Sequence, residues 1–599
     1  MHPTLLLAIA TLALVVGPLL DRVGRRLPAL AAWIDGATGG GIVVVAFVHL
    51  LPEAGAHLGV WTLLLFAVGL ILPTVGERLV RETGQGMRFG VGGLVLVLLL
   101  VHEVIESAAL ASKAHDERIG LATLLVIVGH RLPLGLFLWG HARRRLGLAW
   151  AAVVLGSVAA ASFVGPHLVP ERFREGGFSA VLSALLAGGL LHLVLQHRPP
   201  LGRFEHEPRK RNAWSAVGLA MAAGFFVPYL MGVDVGHRHE GQVVHLPERL
   251  WDLVQQVAVP LCIGLVALSF LAAFVPRLVV AWVARGSRIG QAAAGTAVGA
   301  FLPVRSRGVL PDYREWIERG TAPAAALALL VATPTIGVDS ILLTLALLGG
   351  PATLARVASA VVLAFVVGSV VGALAPARRV EPSGAGVHSR ATPLAAFGRG
   401  LIETWSHLAP WMLLGLGVTA LVEPWISTEW VSSLPVWAQI GLLGLAGVPS
   451  YVCASAATPF AALLLAKGFA PGAVLAFLLS GPSVNLATFA MLRREHSRKL
   501  ALAFGATALL AIAGLALAAG AFLGTSGWSI PAAPHEHGIA AWIASSLLAL
   551  LTLWILAREG PRAVLAQLWS DASPDHSGHA CEHADPREPA HPLAPPAQP

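Results

Sequence analysis

The chain has 599 residues, 56% of them hydrophobic and 12% charged, with a net charge of +8. Soluble domains carry about a quarter charged residues, so a water-soluble fold is excluded and an all-α polytopic membrane protein is expected. The excess positive charge sits in short loops between apolar stretches, a pattern that sets topology and builds no phosphate-binding face. Nucleic acid is therefore excluded as a partner, and the lipid bilayer is the expected one.

About twenty apolar residues cross a bilayer. Residues 4–20 have no basic flank before them and no small-residue cleavage site after them, so they read as a first span and not as a removed signal. Further spans are predicted near 38–56, 60–76, 90–112, 120–140, 148–165, 178–196 and 213–232. Basic loops follow spans one, three, five and seven, at Arg22/Arg25/Arg26, Arg78/Arg81/Arg88, Arg143–Arg145 and Arg198 through Arg211. The positive-inside rule then puts the N-terminus outside and these loops in the cytoplasm. Residues 233–250 form an external linker with His237, His239 and His245.

A second block is predicted over 251–525, with spans at 255–283, 353–375, 399–423 and 499–524 and two interrupted segments, 290–350 and 438–492. Each Pro removes a backbone donor and clashes one turn back, and freed groups are tolerated in a membrane only where protein or a water-filled cavity covers them. Pro311, Gly320, Pro323 and Pro334 recur 148 positions later as Pro459, Gly468, Pro471 and Pro482. The chain therefore contains a repeat. Flanking basic loops put the two interrupted segments in opposite directions, which makes the repeat inverted, as in secondary transporters. An extra span is expected within 526–560, and a polar, Pro-rich cytoplasmic tail over 561–599 reads as disordered.

Charges inside a membrane segment are costly and by default functional. Repeat one offers Arg305, Arg307, Asp312 and Asp339; repeat two offers Cys453, Ser455 and Asn485, with Cys453 and Ser455 aligned on Arg305 and Arg307. These seven are the candidate substrate path, read against an alternative in which the arginines snorkel and the small polar residues only pack. In the first block His49 and Glu53 end span two, His102, Glu103 and Glu106 lie in span four, and His130 lies in span five. His102 and Glu106 are one turn apart, and His with carboxylate suits zinc-like divalent metals. In the tail, His576, His579, Cys581 and His583 form a further candidate metal tract. The three cysteines of the chain are too few and too scattered for a disulfide framework.

At GVLPDYREWIERG…ATPTIGVDSI (308–341) and ASAATPFAALLLAKG…AFLLSGPSVN (454–485) the second block resembles the predicted-permease family that includes organoarsenical and copper/zinc efflux permeases. The resemblance implies export of a metal, metalloid or related solute across a bacterial inner membrane. Metal-exporting members often carry Cys-x-Cys where this chain has Arg305-Ser306-Arg307; two guanidiniums favour an anion over a soft metal. Residues 1–232 resemble the ZIP metal-transporter fold at HLLPEA (49–54), at HEVIESAALAS (102–112) and at His130 with Pro133, although Arg131 and Leu134 stand where acidic residues are common in that family.

Taken together, the expected protein is a ZIP-like eight-span bundle fused to an inverted-repeat permease that exports a zinc- or copper-class metal by alternating access. The alternative is an efflux permease for an organoarsenical or other anionic solute with a structural N-terminal half. No cofactor is expected, metal entering only as substrate, and a homo-oligomer is left open. An intramembrane metalloprotease is disfavoured, because His102-Glu103-Val104-Ile105-Glu106 lacks the second His of His-Glu-x-x-His.

Overall fold

The computed structural model describes residues 3–24, 26–83, 99–105, 107–108, 147–169, 177–196, 212–219, 246–274, 287–300, 309–318, 320–375, 393–448, 453–523 and 538–561, with shorter pieces between 131 and 143 and at 302, 563 and 564. These residues are helical, with no strand among them. Seven described helices are long and apolar enough to cross a membrane, eight if one bent pair counts as a span. The protein is an all-α, multi-pass membrane protein.

The first half supplies α1 (Pro3–Val15), α2 (Gly17–Gly24), α3 (Pro28–Val44), α4 (Leu51–Leu58), α5 (Trp61–Thr83), α6 (Leu148–Leu168) and α7 (Gly177–Gln196). A π-helical turn over Val45–Leu50 joins α3 to α4 just before Pro52, where the missing proline N–H loosens the hydrogen-bond ladder. The second half supplies α8 (Leu246–Phe274), α9 (Arg288–Gly299), α10 (Val309–Glu318), α11 (Pro323–Thr335), α12 (Val338–Gly372), α13 (Pro393–Val422), α14 (Thr428–Ser433), α15 (Val436–Gly447), α16 (Ala454–Ala466), α17 (Pro471–Ser483), α18 (Leu486–Glu495), α19 (Arg498–Leu523) and α20 (Ile539–Glu559).

The 148-residue spacing of the prolines and glycines is carried into the backbone. Helices α9 and α15 are 148 apart at both ends, as are α11 and α17. Gly320 and Gly468 both take positive φ, 81° and 92°. Each closes its helix with the same pair of bonds, Thr321 N to Trp316 O (2.9 Å) with Gly320 N to Ile317 O (3.1 Å), and Phe469 N to Leu464 O (3.1 Å) with Gly468 N to Leu465 O (3.0 Å). This is the Schellman termination that a glycine without a Cβ makes cheap. Helix α12 is interrupted at Gly349 (φ 82°), and the matching stretch is split into α18 and α19. Several helices also pack on their own counterparts, α8 on α13, α11 on α17 and α12 on α19.

The core of this half is an aliphatic cluster in which Ala324 through Ala332 of α11 and Gly472 through Pro482 of α17 are buried all round. Such helices lie inside the bundle, out of contact with lipid. Helix α20 is bound to α8 and α13 by interhelical hydrogen bonds, Gln255 Nε2 to Ser545 Oγ (3.0 Å) and Trp405 Nε1 to Thr552 Oγ1 (2.9 Å). Polar bonds of this kind stand in for the hydrophobic drive that lipid does not supply. The halves meet where Gly55 of α4 lies under the Trp425 ring; a Cβ there would sit 1.9 Å from ring atoms.

Candidate functional site

Two helix breaks organise the second half. In α11, Pro334 interrupts the ladder, and the Thr335 hydroxyl donates to Val331 O, four residues back, at 2.6 Å. In α17, Pro482 is followed by Ser483, whose hydroxyl donates to Leu479 O, the equivalent carbonyl. A hydroxyl one residue past each proline thus bonds the carbonyl four residues back on its own helix, the same device in both breaks. Beyond the breaks the copies differ. Gly337 caps α12 without a side chain, whereas Asn485 caps α18, its Oδ1 accepting from Thr488 N (2.8 Å) and Thr488 Oγ1 (3.1 Å).

The first turn of α12 carries Asp339, which is buried. Its carboxylate accepts a hydrogen bond from the Ser455 hydroxyl, at the start of α16 in the other copy. The N-terminal end of α16, where the helix dipole favours negative charge, therefore meets the buried acid. Cys453 is the N-cap residue of α16, half-buried, and it and Arg356 are close enough to Asp339 to interact with it electrostatically. Two glycines make room for the acid: a Cβ on Gly264 of α8 would lie 2.8 Å from Asp339 Cα, and one on Gly337 would lie 2.5 Å from Asp339 Oδ1.

Arg356 lies beyond the Gly349 interruption of α12 and is almost wholly buried, at 1% exposure. It donates to Thr458 Oγ1 (2.9 Å) and Ala454 O (3.2 Å) on α16, and to Thr344 Oγ1 and Ser340 O (3.4 Å) on its own helix. The site is thus a cross-copy junction of one acid, one thiol, one guanidinium and several hydroxyls inside an apolar bundle. The other break lies near by along the chain. Leu486 N bonds Val448 O at 3.3 Å, and the five residue steps from Val448 to Cys453 reach on the order of 18 Å at most.

The structure brings Asp339, Ser455 and Cys453 together, while Asn485 acts as the cap of the second break. Asp312 is buried on α10, beside Tyr313, whose hydroxyl lies 2.7 Å from His496 Nε2, and Arg314, which pairs with Glu495 at 2.7 Å. Those two contacts tie α10 to the end of α18, the counterpart of the α16–α12 junction. Arg305 and Arg307 lie outside the described residues.

In the first half, Glu103 forms a buried ion pair with Arg131 at 2.6 Å, and Ser162 bridges the two, donating to Glu103 Oε1 (2.5 Å) and accepting from Arg131 Nη1 (3.1 Å). A guanidinium therefore stands against a carboxylate expected to be free for metal. His102 is half-buried and Glu53 exposed. Glu106, His130, the His49 side chain and the tail residues His576, His579, Cys581 and His583 lie outside the described set. Among the described residues no three His, Cys, Asp or Glu side chains gather into a metal-binding group.

Sequence reasoning missed Arg356, Thr344, Thr458 and Gly264. The signal for Arg356 was present, since it is the one basic residue in the apolar run 338–372.

Residues 250–520 match the model of the family described as "Predicted permease". The chain is also similar to a Streptococcus mutans protein described as a subunit of a two-component membrane permease complex. That relative is 24% identical over 238 residues, 38% of this chain and 78% of its own length. No solved structure matches. The permease match covers both helix breaks and the junction between them, and the comparisons support a membrane transporter and not an enzyme. Neither comparison extends the ZIP resemblance of the first half.

Proposed function

We propose that the protein is an inner-membrane efflux permease that works by alternating access between two inverted repeats, 246–372 and 393–523, with its solute path at the Asp339–Ser455–Cys453 junction. One observation carries the reading: a buried acid from one repeat is held by a hydroxyl from the other, inside an apolar bundle, next to two proline-interrupted helices. Charges there are retained against their cost when the path uses them. Counterpart packing of α8 on α13 and α11 on α17 supports a two-fold relation between the repeats.

The substrate class is an organoarsenical or other polar, oxygen-bearing solute in preference to a bare zinc- or copper-class cation. Asp339 already shares its surroundings with a guanidinium, and a single thiol is a sparse ligand set for a soft metal. In the first half, Arg131 on Glu103 supports a structural role for that half.

The test is accumulation of zinc, copper, arsenite and a methylated arsenical in cells making the wild type, Asp339→Ala or His102→Ala/Glu106→Ala. A lowered arsenical level that is lost only in Asp339→Ala is expected. Lowered zinc or copper, lost in both variants, would restore the single metal exporter.

A further inference from the structure

The four oxygens around Arg356 come as two like pairs, one from each repeat. On α12 the Thr344 hydroxyl donates back to Ser340 O at 2.6 Å, and on α16 the Thr458 hydroxyl donates back to Ala454 O at 2.8 Å. Each threonine thus spends its proton four residues back on its own helix. That leaves a carbonyl oxygen and a hydroxyl lone pair from each helix facing the same point. All four accept from the one guanidinium, Thr344 Oγ1, Thr458 Oγ1 and Ser340 O from Nη1 and Ala454 O from Nη2. Two carbonyls and two hydroxyls, all buried, with the Asp339 carboxylate near enough to act on the centre, are an acceptor set with no donor to spare. Converging oxygens of this kind replace the hydration shell of a small monovalent cation in membrane proteins.

We infer that Arg356 is the resident cation of a monovalent-cation cage between the two repeats: the guanidinium occupies the place where a sodium-class ion would otherwise balance Asp339 and join α12 to α16. The junction then carries its own counter-charge, and the wild-type chain takes up no free monovalent cation there. The Gly349 interruption lets this happen, because it sets the second part of α12 off from the first and allows Arg356 to reach back to Ser340 and Thr344. Truncating the side chain would leave the oxygens in place and open the cage to a free ion. The inference names the ion at the junction of the proposed permease and so builds on that reading, but its test reads ion binding and stability, which stand apart from any transport result.

The experiment uses the full chain in lipid nanodiscs as wild type, Arg356→Ala, Arg356→Met and Arg356→Lys. Thermal unfolding is followed in sodium chloride and in N-methylglucamine chloride at equal ionic strength, with equilibrium binding of radioactive sodium alongside. The expected wild type unfolds at the same temperature in both salts and binds no sodium. Arg356→Ala is expected to unfold several degrees lower in N-methylglucamine, to regain most of that in sodium, and to bind about one sodium per chain. Arg356→Met, which fills the cage with an apolar chain, stays low in both, and Arg356→Lys stays close to wild type in both. Sodium binding by the wild type, or an Arg356→Ala variant whose loss is the same in either salt, overturns the inference. If Arg356→Ala does not fold, Arg356→Lys decides: a folded, salt-insensitive protein sustains it, and damage equal to that of alanine overturns it.

Discussion

Each half of the molecule buries a carboxylate and an arginine, and the two arrangements differ in kind. In the first half Glu103 and Arg131 touch each other directly at 2.6 Å, with Ser162 bonded to both. In the second, Asp339 and Arg356 are satisfied by different partners, the acid by Ser455 and the guanidinium by carbonyls and threonines, and those partners come partly from the other repeat. A closed pair resists opening, because separating it strands a charge in a medium of low dielectric. A junction whose charges are held by hydroxyls and carbonyls from two segments is where the proposed alternating access would exchange those partners for a solute. The first arrangement is a strut; the second is where the proposed solute path runs.

The largest expected effect on stability comes from opening the strut. Glu103→Ala or Arg131→Ala alone removes a buried counter-charge and costs about 3–5 kcal/mol. The double change Glu103→Leu/Arg131→Met recovers most of that, as thermal unfolding of the purified chain would show. Next come the glycines that admit close packing. Gly264→Val pushes a side chain into Asp339 and Gly55→Val pushes one into the Trp425 ring; overpacking of this kind costs about 1–3 kcal/mol. The two are distinguishable, because Gly264→Val is expected to abolish transport as well, while Gly55→Val loosens the contact between halves and leaves transport working, as limited proteolysis beside an efflux assay would reveal. Smaller still is Tyr313→Phe, which removes the hydrogen bond to His496. About 1 kcal/mol of stability is at stake, measurable as a modest drop in unfolding temperature.

Helix boundaries in the second half were legible because prolines and glycines dictate them by local sterics. Pro334 and Pro482 each stand one residue before the end of their helices, and Gly320 and Gly468 adopt φ values that cost other residues energy. The partnership of Asp339 with Ser455 was not legible, since it joins residues 116 apart through the packing of α12 on α16. Asp339 stands out in the sequence as a charge among apolar neighbours; Arg356 meets the same criterion, but within a stretch that reads as an ordinary span. Gly264 gives no sequence signal in a chain with 64 glycines. In the first half, Arg131 was noticed as a departure from the acidic pattern, but only the structure turns its guanidinium onto Glu103.

The most direct test of the division between strut and site is efflux of a methylated arsenical from cells making Asp339→Asn or Glu103→Leu/Arg131→Met, each checked for folded protein in the membrane. Asp339→Asn is expected to accumulate at the wild-type level and to export nothing, while the double variant exports at close to the wild-type rate. Export that survives in Asp339→Asn, or that fails in the folded double variant, would contradict the assignment of the solute path to the junction between the repeats.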